Sequence, residues 1–168
     1  MEINQLPHYD MSENTTDCCA RFNPGGWDNR RLHFKDKRFV RAHSLSAMHI
    51  PINMGSIFTR VQKHIDEADA FDDDDFIVMS KDLSPWTEDH LFAVTKDVPN
   101  EEMVSVSGDF ITKVFEGPYR ESKNWYVEMK KLVEAEGSDR DDIYFFYTTC
   151  PKCAKAYGQN FVVGVARI

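Results

Sequence analysis

Two groups of residues in this sequence have the types and spacing to do chemistry. The first is a carboxylate among rings: Glu116, within Phe115-Glu116-Gly117-Pro118-Tyr119, with Trp125 close behind and Trp86 upstream. A carboxylate enclosed by Phe115, Tyr119, Trp125 and Trp86 would lose solvation, and its pKa would rise. It could then take a proton from water or give one to a leaving group. The plainer readings of Glu116 are a cation contact or a bond to nearby backbone amides. The rings have a use of their own. Trp86, Tyr119, Trp125 and Tyr147 could form an aromatic box, since aromatic faces attract cations and stack on flat compounds. Trp125 serves equally well as a core residue on its helix.

The second group is sulfur. Four cysteines fall in two close pairs, Cys18-Cys19 and Cys150/Cys153. Cys150-Pro151-Lys152-Cys153 has the spacing of a zinc knuckle, in which both thiolates reach one tetrahedral ion. The second pair of ligands would come from Cys18 and Cys19. Adjacent cysteines chelate poorly together, so a histidine such as His8 is an alternative fourth ligand. A structural zinc ion, a Cys-x-x-Cys redox pair and free thiols are the three readings. Proximity of the two pairs is expected in any case, because it explains why they lie at opposite ends of the chain.

His43 and His49 lie six residues apart, on one face of an ideal strand, and His49 is a candidate ligand contact. The serines between them, Ser44 and Ser46, lack the Gly-x-Ser-x-Gly elbow of a hydrolase nucleophile. A zinc nucleoside deaminase does not fit, since the His-x-Glu pair is absent.

These groups need elements to hold them. Arg38 to Ile50 reads as a strand, and Gly55 to Ala70 as a helix with Ile57, Phe58, Val61, Ile65 and Ala68 on one face. Phe76 to Ser80 and Leu91 to Thr95 read as strands, with a loop at Ser84-Pro85-Trp86. Val104 to Phe115 reads as a hairpin turning at Gly108-Asp109, which places Glu116 at a strand-to-helix corner. Tyr119 to Glu136 has helical spacing, with Trp125, Met129, Leu132 and Val133 on one face. Ile143 to Thr149 and Phe161 to Ile168 read as strands on either side of a tight Cys-Pro-Lys-Cys turn. This order implies an α+β fold of two pseudo-similar halves. Each half is an antiparallel sheet with one packed helix, and a cleft lies between them.

Composition bounds the function. With 168 residues, 42% of them hydrophobic and 29% charged, the chain can bury a core without disulfides. A net charge of −8 argues against a nucleic-acid partner. The acidic runs Asp72 to Asp75 and Asp139 to Asp142 read as solvated loops. No apolar run is long enough for a membrane span, and the polar start is no secretion signal, so a cytoplasmic location is expected. Residues 1 to about 17 read as an arm. Residues 18 to 37 read as a covering segment pinned by Phe22, Trp27, Leu32 and Phe34.

The order of elements, together with Phe115-Glu116-Gly117-Pro118-Tyr119 and Trp125, resembles the gyrase-inhibitor-like small-molecule-binding domains. On that reading residues 1–37 are the arm and covering segment, and residues 38–168 the binding domain. The chain also resembles, over nearly its whole length, a narrower bacterial group labelled "hydrolase". The stretches that carry this likeness are Cys18-Cys19, Trp27-Asp28, Ile50-Pro51-Ile52-Asn53-Met54-Gly55, Ser84-Pro85-Trp86, Lys113 to Tyr119 and Thr148 to Lys155. The resemblance implies a cleft for bulky, partly aromatic or cationic compounds, with Glu116, Tyr119 and Trp125 lining it. It implies hydrolysis in some members. Sequestering or sensing such a compound, or serving as a protein-interaction module, are the non-catalytic alternatives. The sequence leaves the oligomeric state open.

Overall fold

The sheet closes on one long strand, β1 (Arg31–Ala47), which is hydrogen-bonded on both sides. The structure is a computed structural model, and it describes residues 2–168. After β1 come β2 (Ile50–Pro51), α1 (Met54–Glu67), β3 (Val78–Ser84), β4 (Thr87–Ala93) and β5 (Glu102–Glu116). A 3-10 turn at Tyr119–Glu121 then leads into α2 (Ser122–Ala135), followed by β6 (Ile143–Tyr147), α3 (Pro151–Tyr157) and β7 (Phe161–Arg167). The fold is α+β. Every strand pairing is antiparallel, the order is β2-β1-β4-β3-β6-β7-β5, and β5 returns to β1 to close a barrel. Closure removes the open edges that two separate half-sheets would carry. β3 and β6 meet at one pair only, Ser80 and Phe145, whereas the other seams of the barrel run over several residues.

β1 crosses the boundary expected at residues 37 and 38. Trp27, Leu32 and Phe34 are almost wholly buried and share one core with Phe39 and Val40. The covering segment is therefore part of the barrel core, held there by its own aromatics.

The expected hairpin at Gly108-Asp109 is instead the middle of the continuous strand β5. Gly108 has φ of 137°, and a Cβ there would lie 2.8 Å from Arg167 Nε. The glycine is needed for the close passage of the Arg167 side chain, whose guanidinium donates to the Ser107 carbonyl, and not for a turn.

α1 forms because Val61 and Ile65 repeat at helical spacing and are buried against the sheet, with Ile57, Phe58 and Ala68 beside them. Each such burial contributes roughly 1.5–3 kcal/mol. α2 packs Trp125, Met129 and Val133 onto the other part of the barrel, with Phe115, Phe145 and Val162 beneath. Gly164 on β7 makes room for Met129, since a Cβ there would lie 2.5 Å from its sulfur.

The expected tight turn at Cys150-Pro151-Lys152-Cys153 is the first turn of α3. Cys150 is its N-cap, Pro151 occupies its first turn, and Gly158 ends it in the left-handed conformation. The acidic run at Asp72 to Asp75 is only partly solvated. Asp75 accepts a hydrogen bond from Lys37, whose side chain is 3% exposed. Among the described residues no helix is long and apolar enough to cross a membrane.

Candidate ligand groove and cysteine cluster

A groove of about 630 Å³ runs between α1, the N-terminal arm and the strands that meet at the β3–β6 seam. Phe58 of α1, Phe92 of β4, Phe146 of β6 and Phe76 of the loop before β3 give it an aromatic floor, and Tyr9 and Tyr147 add two more rings. Gln62, Lys63, Asp66 and Glu67, all on α1, make a polar rim. Cys18 and Cys19 stand at one end.

Beneath α1 the strands carry a polar network. Alternation places Glu88, His90 and Phe92 on one face of β4. Ser44 is opposite Glu88, and Ser80 is opposite His90. His90 is fully buried, with Ser44 Oγ 2.7 Å from Nε2 and Ser80 Oγ 2.7 Å from Nδ1. The Phe58 ring meets the imidazole edge-on at 4.9 Å. Burial pulls the His90 pKa down to about 4, so the ring is neutral at pH 7. Glu88 Oε2 lies 3.8 Å from His90 Nε2, and Ser46 donates to Glu88 Oε1 at 3.3 Å. Burial, with Asp82 nearby, raises the Glu88 pKa. Burial also raises the Tyr147 pKa, with Glu88 and Asp82 adding to it. The groove tyrosine therefore lies in the field of the buried carboxylate.

The residues expected from the sequence are dispersed. Glu116 ends β5 on the surface, exposed, with its backbone opposite Phe161. It lines no part of the groove, and its exposed carboxylate keeps its hydration. Trp86 is 56% exposed at the β3–β4 turn. Trp125 is buried and stacks on Phe115 at 5.6 Å, which makes it a core residue. Tyr119 and Tyr147 do meet, their rings 5.8 Å apart. Tyr119 donates to the Thr149 carbonyl, and its pKa is pushed up to about 12, chiefly by burial. His43 and His49 do not share a strand face. β1 ends at Ala47, and His49 takes a left-handed φ of 67° in the turn that follows. Each has its own acid, His43 with Asp89 at 3.3 Å and His49 with Asp82 at 3.0 Å. Glu88 and His90 carry no alternation signal in the sequence, because Thr87 to His90 are four consecutive polar residues and only Leu91 to Ala93 are apolar.

The cysteines do come together. Sulfurs of Cys18, Cys19, Cys150 and Cys153 all lie within 4.8 Å of one another. Cys18 Sγ is 3.6 Å from Cys19 Sγ and 4.0 Å from Cys150 Sγ. The adjacent pair reaches the cluster together just after Asp17, which takes a left-handed φ of 55°. His8 is not needed, and its Nδ1 lies 2.7 Å from Asp74 Oδ1. Thr16 Oγ1 approaches Cys153 Sγ at 3.3 Å. Burial works against ionisation of Cys153, but hydrogen bonds from Thr16, Cys150 and Cys19 outweigh it and bring the thiol down to about 6. Burial holds Cys19 well above the ordinary thiol range. Four sulfurs so placed could hold one metal ion.

A family model described as "Bacterial hydrolase" matches residues 9–168, and the chain belongs to that family. No curated protein matches the chain.

Proposed function

We propose that this member of the bacterial hydrolase family binds a small molecule with a flat apolar body in the α1 groove and hydrolyses it there. The carrying observation is the groove itself, six aromatic rings around about 630 Å³ with a polar rim on one wall. Glu88 is not among the groove-lining residues, but it is buried, its pKa is raised and its field reaches the groove residue Tyr147, so it takes the acid–base role in this reading in place of the exposed Glu116. Halves built as β1-α1-β3-β4 and β5-α2-β6-β7, each with its third strand in the middle, support the gyrase-inhibitor-like reading of the barrel. Four free cysteines favour a reducing compartment, which supports a cytoplasmic location.

The test uses a panel of aryl esters, lactones and amides together with an aromatic dye whose fluorescence reports binding. Thr59→Trp adds bulk from an exposed position on the groove wall. Loss of both dye binding and turnover in that variant is the expected result. Turnover that is indifferent to it overturns the groove as the site. Dye binding with no turnover on any substrate makes the protein a sequestering binder.

One observation favours a second reading, a protein-interaction module. Leu45, Met48, Ile50, Ile52, Leu83 and Trp86 are all more than half exposed, and they gather at one tip. There Ser46 N donates to the Trp86 carbonyl and His49 N to the Pro85 carbonyl, tying the β1–β2 and β3–β4 turns together. An apolar tip of this kind is the mark of a docking surface. A Trp86→Ser, Ile50→Ser double variant that leaves turnover unchanged but abolishes a specific association would separate the two roles.

A further inference from the structure

We infer that Cys18, Cys19, Cys150 and Cys153 form a structural zinc site that clips the N-terminal arm onto α3. The argument is geometric. A tetrahedral zinc ion with sulfur at ~2.3 Å sets its ligands ~3.8 Å apart. Two of the sulfur separations, Cys18–Cys19 at 3.6 Å and Cys18–Cys150 at 4.0 Å, bracket that edge, and all four sulfurs lie within 4.8 Å of one another. Four sulfurs complete the coordination sphere, so the site is closed and leaves no position for water or substrate. That makes it structural and separates it from the chemistry proposed for the groove.

The surroundings hold the ligands independently of the ion. Tyr157 of α3 donates its hydroxyl to the Cys19 carbonyl at 2.6 Å, and Thr15 N donates to the Tyr157 oxygen at 3.3 Å. Arg21 N donates to the Glu13 carbonyl at 2.7 Å, closing the arm into a loop around the pair. The Thr16 hydroxyl beside Cys153 can donate to a thiolate, the outer-shell support that metal ligands need. Binding converts four thiols to thiolates, releases up to four protons to solvent and leaves a Zn(Cys)₄ unit of net charge −2. No electron is transferred. Because Cys18 and Cys19 also end the groove, the ion would fix one of its walls.

The experiment is metal analysis of full-length protein purified under reducing conditions, without chelators or an affinity metal. It is followed by exchange into cobalt(II). One zinc per chain is expected, with sulfur-to-cobalt charge-transfer absorption and the visible bands of a tetrahedral ion. Cys18→Ser changes the most exposed ligand and should weaken zinc by at least about tenfold in competition with a chromophoric chelator. Since Cys153→Ser could unfold α3, the cobalt spectrum of the parent protein is the deciding measurement. Folded, reduced protein that gives no thiolate charge-transfer band, with thiols equally reactive with and without zinc, overturns the site. A disulfide within the cluster that persists in such protein also overturns it, in favour of redox chemistry.

Discussion

Ser44 Oγ lies 2.7 Å from Nε2 of His90, on a face of the sheet roofed by Phe58. With Ser80 on Nδ1, both ring nitrogens are satisfied without charge, and each serine hydroxyl can donate or accept according to the tautomer. A buried imidazole held neutral in this way makes stability depend on pH. The folded pKa is about 4 and the unfolded value 6.5. The depressed group costs nothing above pH 6.5. As the pH falls from 6.5 towards 4 the unfolded chain takes up the proton first, and about 3 kcal/mol of stability is lost. Urea unfolding of the parent and of His90→Gln at pH 7 and pH 4.5 checks this. The parent should lose markedly more on acidification than the variant.

Gly164 lets α2 lie against β7. In Gly164→Ala the added methyl meets Met129 Sδ at 2.5 Å, and overpacking of this kind costs about 1–3 kcal/mol. Met129 is flexible, so Met129→Ala in the same chain should be less harmful than it is alone. A double-mutant cycle in denaturant reads the coupling directly. Additive effects would mean that the helix does not rest on this glycine.

At Gly108 the difficulty is in the backbone as well as in the space. A side chain at φ of 137° is strained, and its Cβ would displace Arg167. Gly108→Ala should destabilise by about 1–3 kcal/mol, seen as a lower melting temperature with native-like far-ultraviolet dichroism. An unchanged melting temperature would contradict the continuous path of β5.

The two glutamates predict opposite outcomes. Glu88→Gln should slow turnover on the order of 10²–10⁴-fold while preserving dye affinity. Glu116→Gln should leave both as they are, because its side chain is on the surface away from the groove. Steady-state kinetics on whichever substrate the panel yields makes the comparison. The reverse result would return the acid–base role to the strand-to-helix corner.

Local signals are legible in the sequence where one residue type has one structural use. The α1 face and the α2 face follow from apolar spacing, and Trp125 lies in the core its spacing allows. Cysteine pairs at both ends of the chain imply the cluster that the structure brings together. The expectations that fail share a cause, since Gly and Pro serve several geometries. Gly108 looks like a turn but makes room for Arg167, a residue of the distant strand β7 that pairs with β5. Pro151 looks like a turn but starts α3, and Gly158 is the matching stop. The groove is hidden for a different reason. Its aromatic lining comes from α1, β4, β6, the loop before β3 and the arm, and no single stretch of sequence displays that convergence. Glu88 and His90 do not stand out because a polar pair in a strand normally faces water, and here α1 covers it.

The single backbone pair between β3 and β6, Ser80 with Phe145, sets how the protein breathes. Amide protons in the other ladders are released only when long runs of bonds open together. Along this seam one small opening suffices, so the amides of Val78 and Tyr147 should exchange with solvent well before those of β1 or β7. The groove straddles the same seam. Its width is therefore governed by the softest joint in the barrel, and guests of unequal girth can be admitted without disturbing the ladders that keep the chain folded.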